Sequence, residues 1–194
     1  MAEIILASGS ATRRTLLQNA GINVQAVSHD LDERLISQSE TGGRAIARRL
    51  AISKAETASR KHRDRFVVGA DQTLEINGRV LRKPRDRSEA FAQLRELSGR
   101  QHFLYSAFSI ACNGICRSRQ VRSACLTMRD LGDDDIDWFL EETGSLALTS
   151  VGAYQLEGLG IRLFSRIKGD YFAILGLPML PLLEALRRLG AISP

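Results

Sequence analysis

The chain has 194 residues, 44% of them apolar and 25% charged, the balance of an ordinary globular protein long enough to bury a sizeable core. A net charge of +5, from 27 Lys+Arg against 22 Asp+Glu, suits an anionic partner without choosing among nucleotide, nucleic acid and acidic surface. Three cysteines, an odd number, argue against a disulfide framework, and no apolar run approaches the roughly 18 residues of a membrane span. The N-terminus shows no basic stretch followed by a long apolar one, so no signal peptide is expected and the cytoplasm is the default location.

One domain over residues 1–194 is expected, because no low-complexity segment, repeat or linker interrupts the chain. Glu3 to Ser8 has the length and apolarity of a buried strand. The small-residue turn Ser8-Gly9-Ser10-Ala11 leads into a helix from Arg13 to Ala20, stopped at Gly21. Ile22 to Val27 alternates like a half-buried strand, and Arg44 to Arg60 reads as a helix with Ala47, Leu50, Ala51, Ala55 and Ala58 on one face. Phe66 to Ala70 is a second short buried strand ending at Asp71. A hairpin turns at Asn77-Gly78. Asp86 and Glu89 form a capping box for a helix ending at Gly99.

Two long strands, His102 to Ala111 and Ile115 to Met128, join at Asn113-Gly114, which Cys112 and Cys116 flank as if to face each other across the turn. No second Cys/His pair completes a metal site there. Asp133, Asp134 and Asp135 begin a helix through Glu142, a strand is expected over Ile161 to Ile167, and Pro178 opens a last helix stopped at Gly190. Alternating strands and helices with inserted hairpins argue for a mixed α/β fold.

Several segments carry chemistry. Ser8-Gly9-Ser10-Ala11-Thr12-Arg13-Arg14 joins a strand to a helix, so its backbone N–H groups, the helix N-terminus and two guanidinium groups together suit a phosphate. Gly69-Ala70-Asp71-Gln72 ends an apolar strand in a carboxylate, which can hold a metal or take a proton from water. Lys54 lies on the apolar face of its helix, where an ammonium must either snorkel out or meet an anion. Lys83 before Pro84 and the acidic pair Asp32-Glu33 read alone as loop residues. Gly152 to Gly160 offers close backbone approach, a flat aromatic at Tyr154 and a carboxylate at Glu157, fit for gripping a base. His29, His62 and His102 lack ligand spacing and are read as structural or exposed.

In order along the chain, Leu6-Ala7-Ser8-Gly9-Ser10 with Arg13-Arg14, Asp32-Glu33, Arg49-Leu50-Ala51 with Lys54-Ala55, Gly69-Ala70-Asp71, Lys83-Pro84, Leu97-Ser98-Gly99 with His102, Gly152-Ala153-Tyr154 with Glu157-Gly158, and Gly176-Leu177-Pro178 resemble the Maf-like nucleotide pyrophosphatases over nearly the whole chain. The resemblance implies a mixed twisted sheet flanked by helices in two lobes around a central cleft, akin to the inosine triphosphate pyrophosphatases, and a homodimer. It implies hydrolysis of a nucleoside triphosphate to the monophosphate and pyrophosphate with a divalent cation, Mg or Mn. Asp71 then matches the proton acceptor; Ser8, Ser10, Arg13, Arg14, Lys54 and Lys83 fall in the phosphate-contacting segments; Asp71 and Glu33 are the carboxylates for the metal.

Thr12, Gln72 and Glu157 match the positions thought to set base specificity. Gln72 and Glu157 look like the branch that prefers 7-methyl-GTP, whereas the branch that cuts dTTP and UTP usually carries Arg, Thr and Gln at the three positions. Thr12 matches neither, since the 7-methyl-GTP branch tends to carry Trp, and Ala11 replaces the usual Pro. Two other classes remain as expectations to separate. A nucleic-acid-binding regulator of cell division needs a basic stripe interleaved with aromatics, and the 6% aromatic content supplies none. A noncatalytic nucleotide sensor would bind without turnover.

Overall fold

The computed structural model describes residues 3–28 and 31–193; His29 lies outside them. The apolar opening forms β1 (Ile4–Ala7), and α1 (Ala11–Asn19) starts two residues earlier than expected because the Ser10 hydroxyl caps it, accepting from the Arg13 N–H at 3.3 Å. β2 (Val24–Ala26) follows. Asp32-Glu33 is not in a loop: the Asp32 carboxylate accepts from the N–H groups of Arg34 and Leu35 and starts a short helix, α2 (Glu33–Gln38). The small-residue helix is α3 (Gly43–Lys61).

β3 (Val67–Ile76) runs straight through Asp71 rather than ending there, and turns at Asn77-Gly78 into β4 (Arg79–Leu81). Its partner along one whole edge explains the continuity: β5 (Gln101–Cys112) pairs antiparallel with it from Val67 to Glu75. Between them lies α4 (Arg87–Leu97), where only half of the expected capping box forms. The Asp86 carboxylate accepts from the Glu89 N–H at 2.8 Å, while Glu89 reaches back to the Arg85 N–H. β6 (Ile115–Met128) returns from β5, with Ala111 opposite Cys116 and Cys112 opposite Ile115. Directly opposed residues share a face, so Cys112 and Cys116 point to opposite faces of the hairpin rather than at each other. All three cysteines are free thiols.

After α5 (Asp133–Thr143), the segment from Gly144 to Leu163 winds through three short 3₁₀ turns, so the last strand, β7 (Phe164–Lys168), begins later than expected. A one-turn helix that the sequence pattern missed, α6 (Tyr171–Ile174), precedes α7 (Met179–Arg188). No helix among the described residues is long and apolar enough to cross a membrane.

The seven strands form one mixed sheet, ordered β2-β1-β3-β5-β6-β7, with β4 also on β3. β1 lies parallel to β3, Ala7 opposite Gly69; β4 lies antiparallel to it, Leu81 opposite Leu74. Both neighbours occupy the same edge of β3 and end facing the interval from Ala70 to Thr73. That split edge places Asp71 and Gln72 between two converging chain ends. It also divides the core on the face away from α3. Ile4, Leu6, Leu17, Val68, Phe108 and Leu182 pack below the interval; Leu74, Leu94, Leu104, Leu126 and Phe139 pack above it. The opposite face is covered by α3, whose Ala47 and Ala51 pack on Ala107 and whose Ala58 packs on Ile5, Ala7 and Val67. These are the two lobes and the mixed α/β class that the sequence implied.

Tyr154 is not a base platform. It is 5% exposed, edge-on to Phe164, and its hydroxyl lies 2.8 Å from Nε2 of the wholly buried His102. Burial pushes the Tyr154 phenol upward and the His102 imidazole down to about 4, so His102 is neutral in the folded protein. Unfolding restores its ordinary value near 6.5. The unfolded chain therefore takes up the extra proton, and stability present above about pH 6.5 is lost as the pH falls toward about 4. We expect the stability advantage of the wild type over His102→Gln, measured by urea unfolding, to shrink by on the order of 3 kcal/mol across that window. A difference independent of pH contradicts the neutral buried imidazole.

Candidate active site

The site is built around one buried ammonium. Ala47, Ala51, Ala55 and Ala58 let α3 lie close to the sheet, and the approach is tightest at Gly69, where a Cβ would stand 2.4 Å from the Ala51 carbonyl oxygen. A side chain there would push α3 away. Asp71 follows two residues later on the same face of β3, and Lys54 leaves α3 toward it. Lys54 is 5% exposed and Asp71 7%. Lys54 Nζ donates to Asp71 Oδ1 at 2.6 Å and stands 2.9 Å from Glu33 Oε1 on α2. Of the two fates open to Lys54, it meets anions.

Burial pushes the Asp71 carboxyl above the usual carboxylate range, and Lys54 and Arg13 pull it back. The Arg13 guanidinium is lowered by its own burial and supported by Asp71 and Glu33. Two cations and two carboxylates thus meet with a balanced charge. Arg13 is also a tie between segments. Its Nη1 donates to Ser8 Oγ at 2.9 Å and to the Ala70 carbonyl at 3.0 Å, and its Nε donates to the Gly176 carbonyl at 2.9 Å. Nη2 carries its remaining donors. Gly176 sits at φ +95°, which suits glycine, with Arg13 and Gln72 packed beside it.

The three expected specificity residues approach the cleft from three elements. The Thr12 hydroxyl on α1 donates to Glu157 Oε1 at 3.1 Å, bridging α1 and the 3₁₀ segment. Gln72 Nε2 lies 2.9 Å from Ser106 Oγ and 3.1 and 2.9 Å from the carbonyls of Ala173 and Ile174. Ser106 itself donates to the Ala173 carbonyl, so its oxygen is left to accept. The Gln72 amide group is therefore held by its nitrogen, leaving Oε1 as the group it offers. Sequence reading missed Ser106 and the end of α6, whose role arises only when distant strands and helices meet.

The remaining phosphate candidates are less tied. Ser8 is buried and accepts from Arg13; Ser10 caps α1. Arg14 and Lys83 are exposed. Lys83 follows β4 as that strand runs antiparallel to β3, so the register carries it back toward Gln72. Among the described residues no three or more His, Cys, Asp or Glu side chains gather as a metal-holding group. The carboxylates of Asp71 and Glu33, both on Lys54, are hard oxygen donors. Two such donors would fit an ion of the Mg or Mn type, which takes oxygen ligands.

Small-residue turn, buried carboxylate and converging cations meet beside the ends of β1 and β4, an arrangement whose chemistry suits a phosphorylated ligand. Residues 3–189 match the Maf-like protein family, and the chain belongs to it. It is 51% identical over 194 residues to the 7-methyl-GTP pyrophosphatase of Rhizobium meliloti (strain 1021), covering 98% of each chain. It is 50% identical over 192 residues to the nucleoside triphosphate pyrophosphatase of Nitrobacter winogradskyi, covering 98% of this chain and 95% of that one. A HAM1 protein from Coxiella burnetii superposes with a TM-score of 0.45 at 15% identity, over 66% of this chain and 73% of that one, a likeness too loose to carry an argument.

Lys54→Met keeps the aliphatic stem and deletes the charge between Asp71 and Glu33. Desolvation of Asp71 is then opposed by Arg13 with less help, so its carboxyl titrates at higher pH than in the wild type. Carboxyl ¹³C NMR of Asp71 reads this directly, and an unmoved titration contradicts the pairing.

Proposed function

We infer that the protein is an enzyme, a nucleoside triphosphate pyrophosphatase that cuts between the α and β phosphates to release the monophosphate and pyrophosphate. What carries the class is the family match over residues 3–189 together with about half-identity to relatives of that name along almost the entire chain. The Lys54–Asp71 pair in the cleft gives it a mechanism. Asp71 orients an attacking water and accepts its proton; the raised proton affinity that burial gives the carboxyl suits a base, and Lys54 and Arg13 oppose that rise. Lys54 and Arg13, with Arg14 and Lys83 at the rim, hold the phosphate chain in line. The backbone N–H groups at the start of α1 add donors for the same oxygens.

The local charge of Arg13, Lys54, Asp71 and Glu33 sums to zero, so a polyanionic substrate calls for added positive charge. Asp71 and Glu33 would hold a divalent cation, which would supply that charge and polarise the phosphoryl group. Of the two partners of Lys54, Glu33 is the more accessible: its side chain is 44% exposed, while that of Lys54 is 6% exposed.

For the base, we propose a guanine-type edge, with 7-methyl-GTP first. The Glu157 carboxylate and the Gln72 carbonyl oxygen offer acceptors, and a guanine edge offers adjacent donors at N1 and the 2-amino group. Thr12 occupies one Glu157 oxygen and supplies no ring face for stacking. Methylation at N7 makes the base cationic, which a carboxylate favours. Hydrogen bonds to charged groups contribute roughly 1.5–3 kcal/mol each, enough for tenfold to hundredfold discrimination.

Two outcomes follow. Asp71→Asn retains the fold by circular dichroism and loses on the order of 10²–10⁴ in kcat; a variant with most of its kcat removes Asp71 from the reaction. In wild type, kcat/KM ranks 7-methyl-GTP above GTP, UTP and dTTP, and Glu157→Gln compresses the ranking by about tenfold or more. A wild type that favours UTP or dTTP overturns the base assignment and leaves the pyrophosphatase class standing.

A further inference from the structure

A second cavity, of about 390 Å³, opens between α3 and β6. It is formed by the side of α3 that turns away from Lys54, with Arg48, Arg49 and Glu56 among its walls, by Cys116 and Arg119 from the facing side of β6, and by Glu40. All three arginines are exposed, and among the described residues none pairs with a carboxylate, although Glu40 and Glu56 line the same cavity. The side-chain partner that Arg119 finds is the Cys116 sulfur, a weak acceptor 3.8 Å from its Nη1. Six other exposed arginines do meet a carboxylate, as Arg87 meets Asp137 and Arg65 meets Glu3; what is particular to Arg48, Arg49 and Arg119 is that they line one cavity from two elements.

Arg48 and Arg49 are neighbours on α3, and like charges gathered on one concavity repel. Glu40 and Glu56 line the same cavity, so its walls carry three guanidinium groups against two carboxylates. The cavity volume lies in the range of small-ligand sites.

We propose that the cavity between α3 and β6, centred on Arg48, Arg49 and Arg119, is a second anion site that takes a di- or triphosphate group. It lies outside the catalytic cluster and does not depend on the base assignment. Guanidinium groups from two elements converge on one ligand there, the arrangement that suits bidentate contact with phosphate oxygens.

The test is calorimetric titration of the full chain with inorganic pyrophosphate in metal-free buffer, comparing wild type with Arg48→Glu/Arg119→Glu. The variant is expected to lose one equivalent of bound pyrophosphate, or to weaken it by at least about tenfold, while kcat and KM for the triphosphate substrate stay within about twofold. Arg48→Gln/Arg119→Gln, which removes charge without reversing it, is expected to fall between. An α,β-methylene nucleoside triphosphate as a second probe loses the same equivalent if the phosphate chain is the ligand. Unchanged pyrophosphate binding in both variants overturns the proposal. So does loss confined to the nucleotide probe, and so does a single-stranded oligonucleotide that displaces pyrophosphate with the steeper salt dependence.

Discussion

A buried ammonium organises this molecule. Lys54 is almost fully removed from water, and an unpaired charge there would cost many times what a single contact returns. The fold meets that demand with carboxylates from two directions, Asp71 on the central strand and Glu33 on a separate short helix. The two carboxylates differ in setting: Asp71 is buried, with Lys54 and Arg13 opposing the rise that burial gives its carboxyl, whereas the Glu33 side chain is 44% exposed.

The sheet provides the setting. β3 keeps one edge continuously paired with β5 and shares its other edge between β1 and β4, which stop short of each other. The interruption removes no partner that the core needs, because the two apolar clusters lie on either side of it. It leaves room where Asp71 and Gln72 alternate to opposite faces, one toward α3 and the other toward α6. Arg13 spans the gap, joining Ser8, Ala70 and Gly176. A residue expected to serve substrate alone is equally a fastener of the cleft.

Much of this was legible in the sequence because local rules and tertiary demands agreed. The alanine-rich face of α3, the Asn-Gly hairpins and the short apolar β1 read correctly. Lys54, on an apolar face, was left to snorkel out or to meet an anion, and it meets two. The misreadings have physical causes. Asp71 was placed at a strand end because the apolar run stops before it; the strand continues because β5 supplies partners from far along the chain. Asp32-Glu33 read as loop because a six-residue helix leaves almost no periodicity. Tyr154 read as a binding surface because glycines surround it, yet His102 and Phe164, distant in sequence, bury it. Ser106 and the carbonyls of α6 gave no signal, since what they do is orient Gln72 across the sheet.

A pyrophosphatase of this class is distinguished by which phosphoanhydride bond it breaks. Phosphorus-31 NMR of a triphosphate substrate during turnover, with the monophosphate quantified alongside, tests it most directly. Pyrophosphate and nucleoside monophosphate appearing together in equal amounts, with neither orthophosphate nor diphosphate ahead of them, is the result the cleft and its family predict. Orthophosphate and nucleoside diphosphate as the first products contradict it.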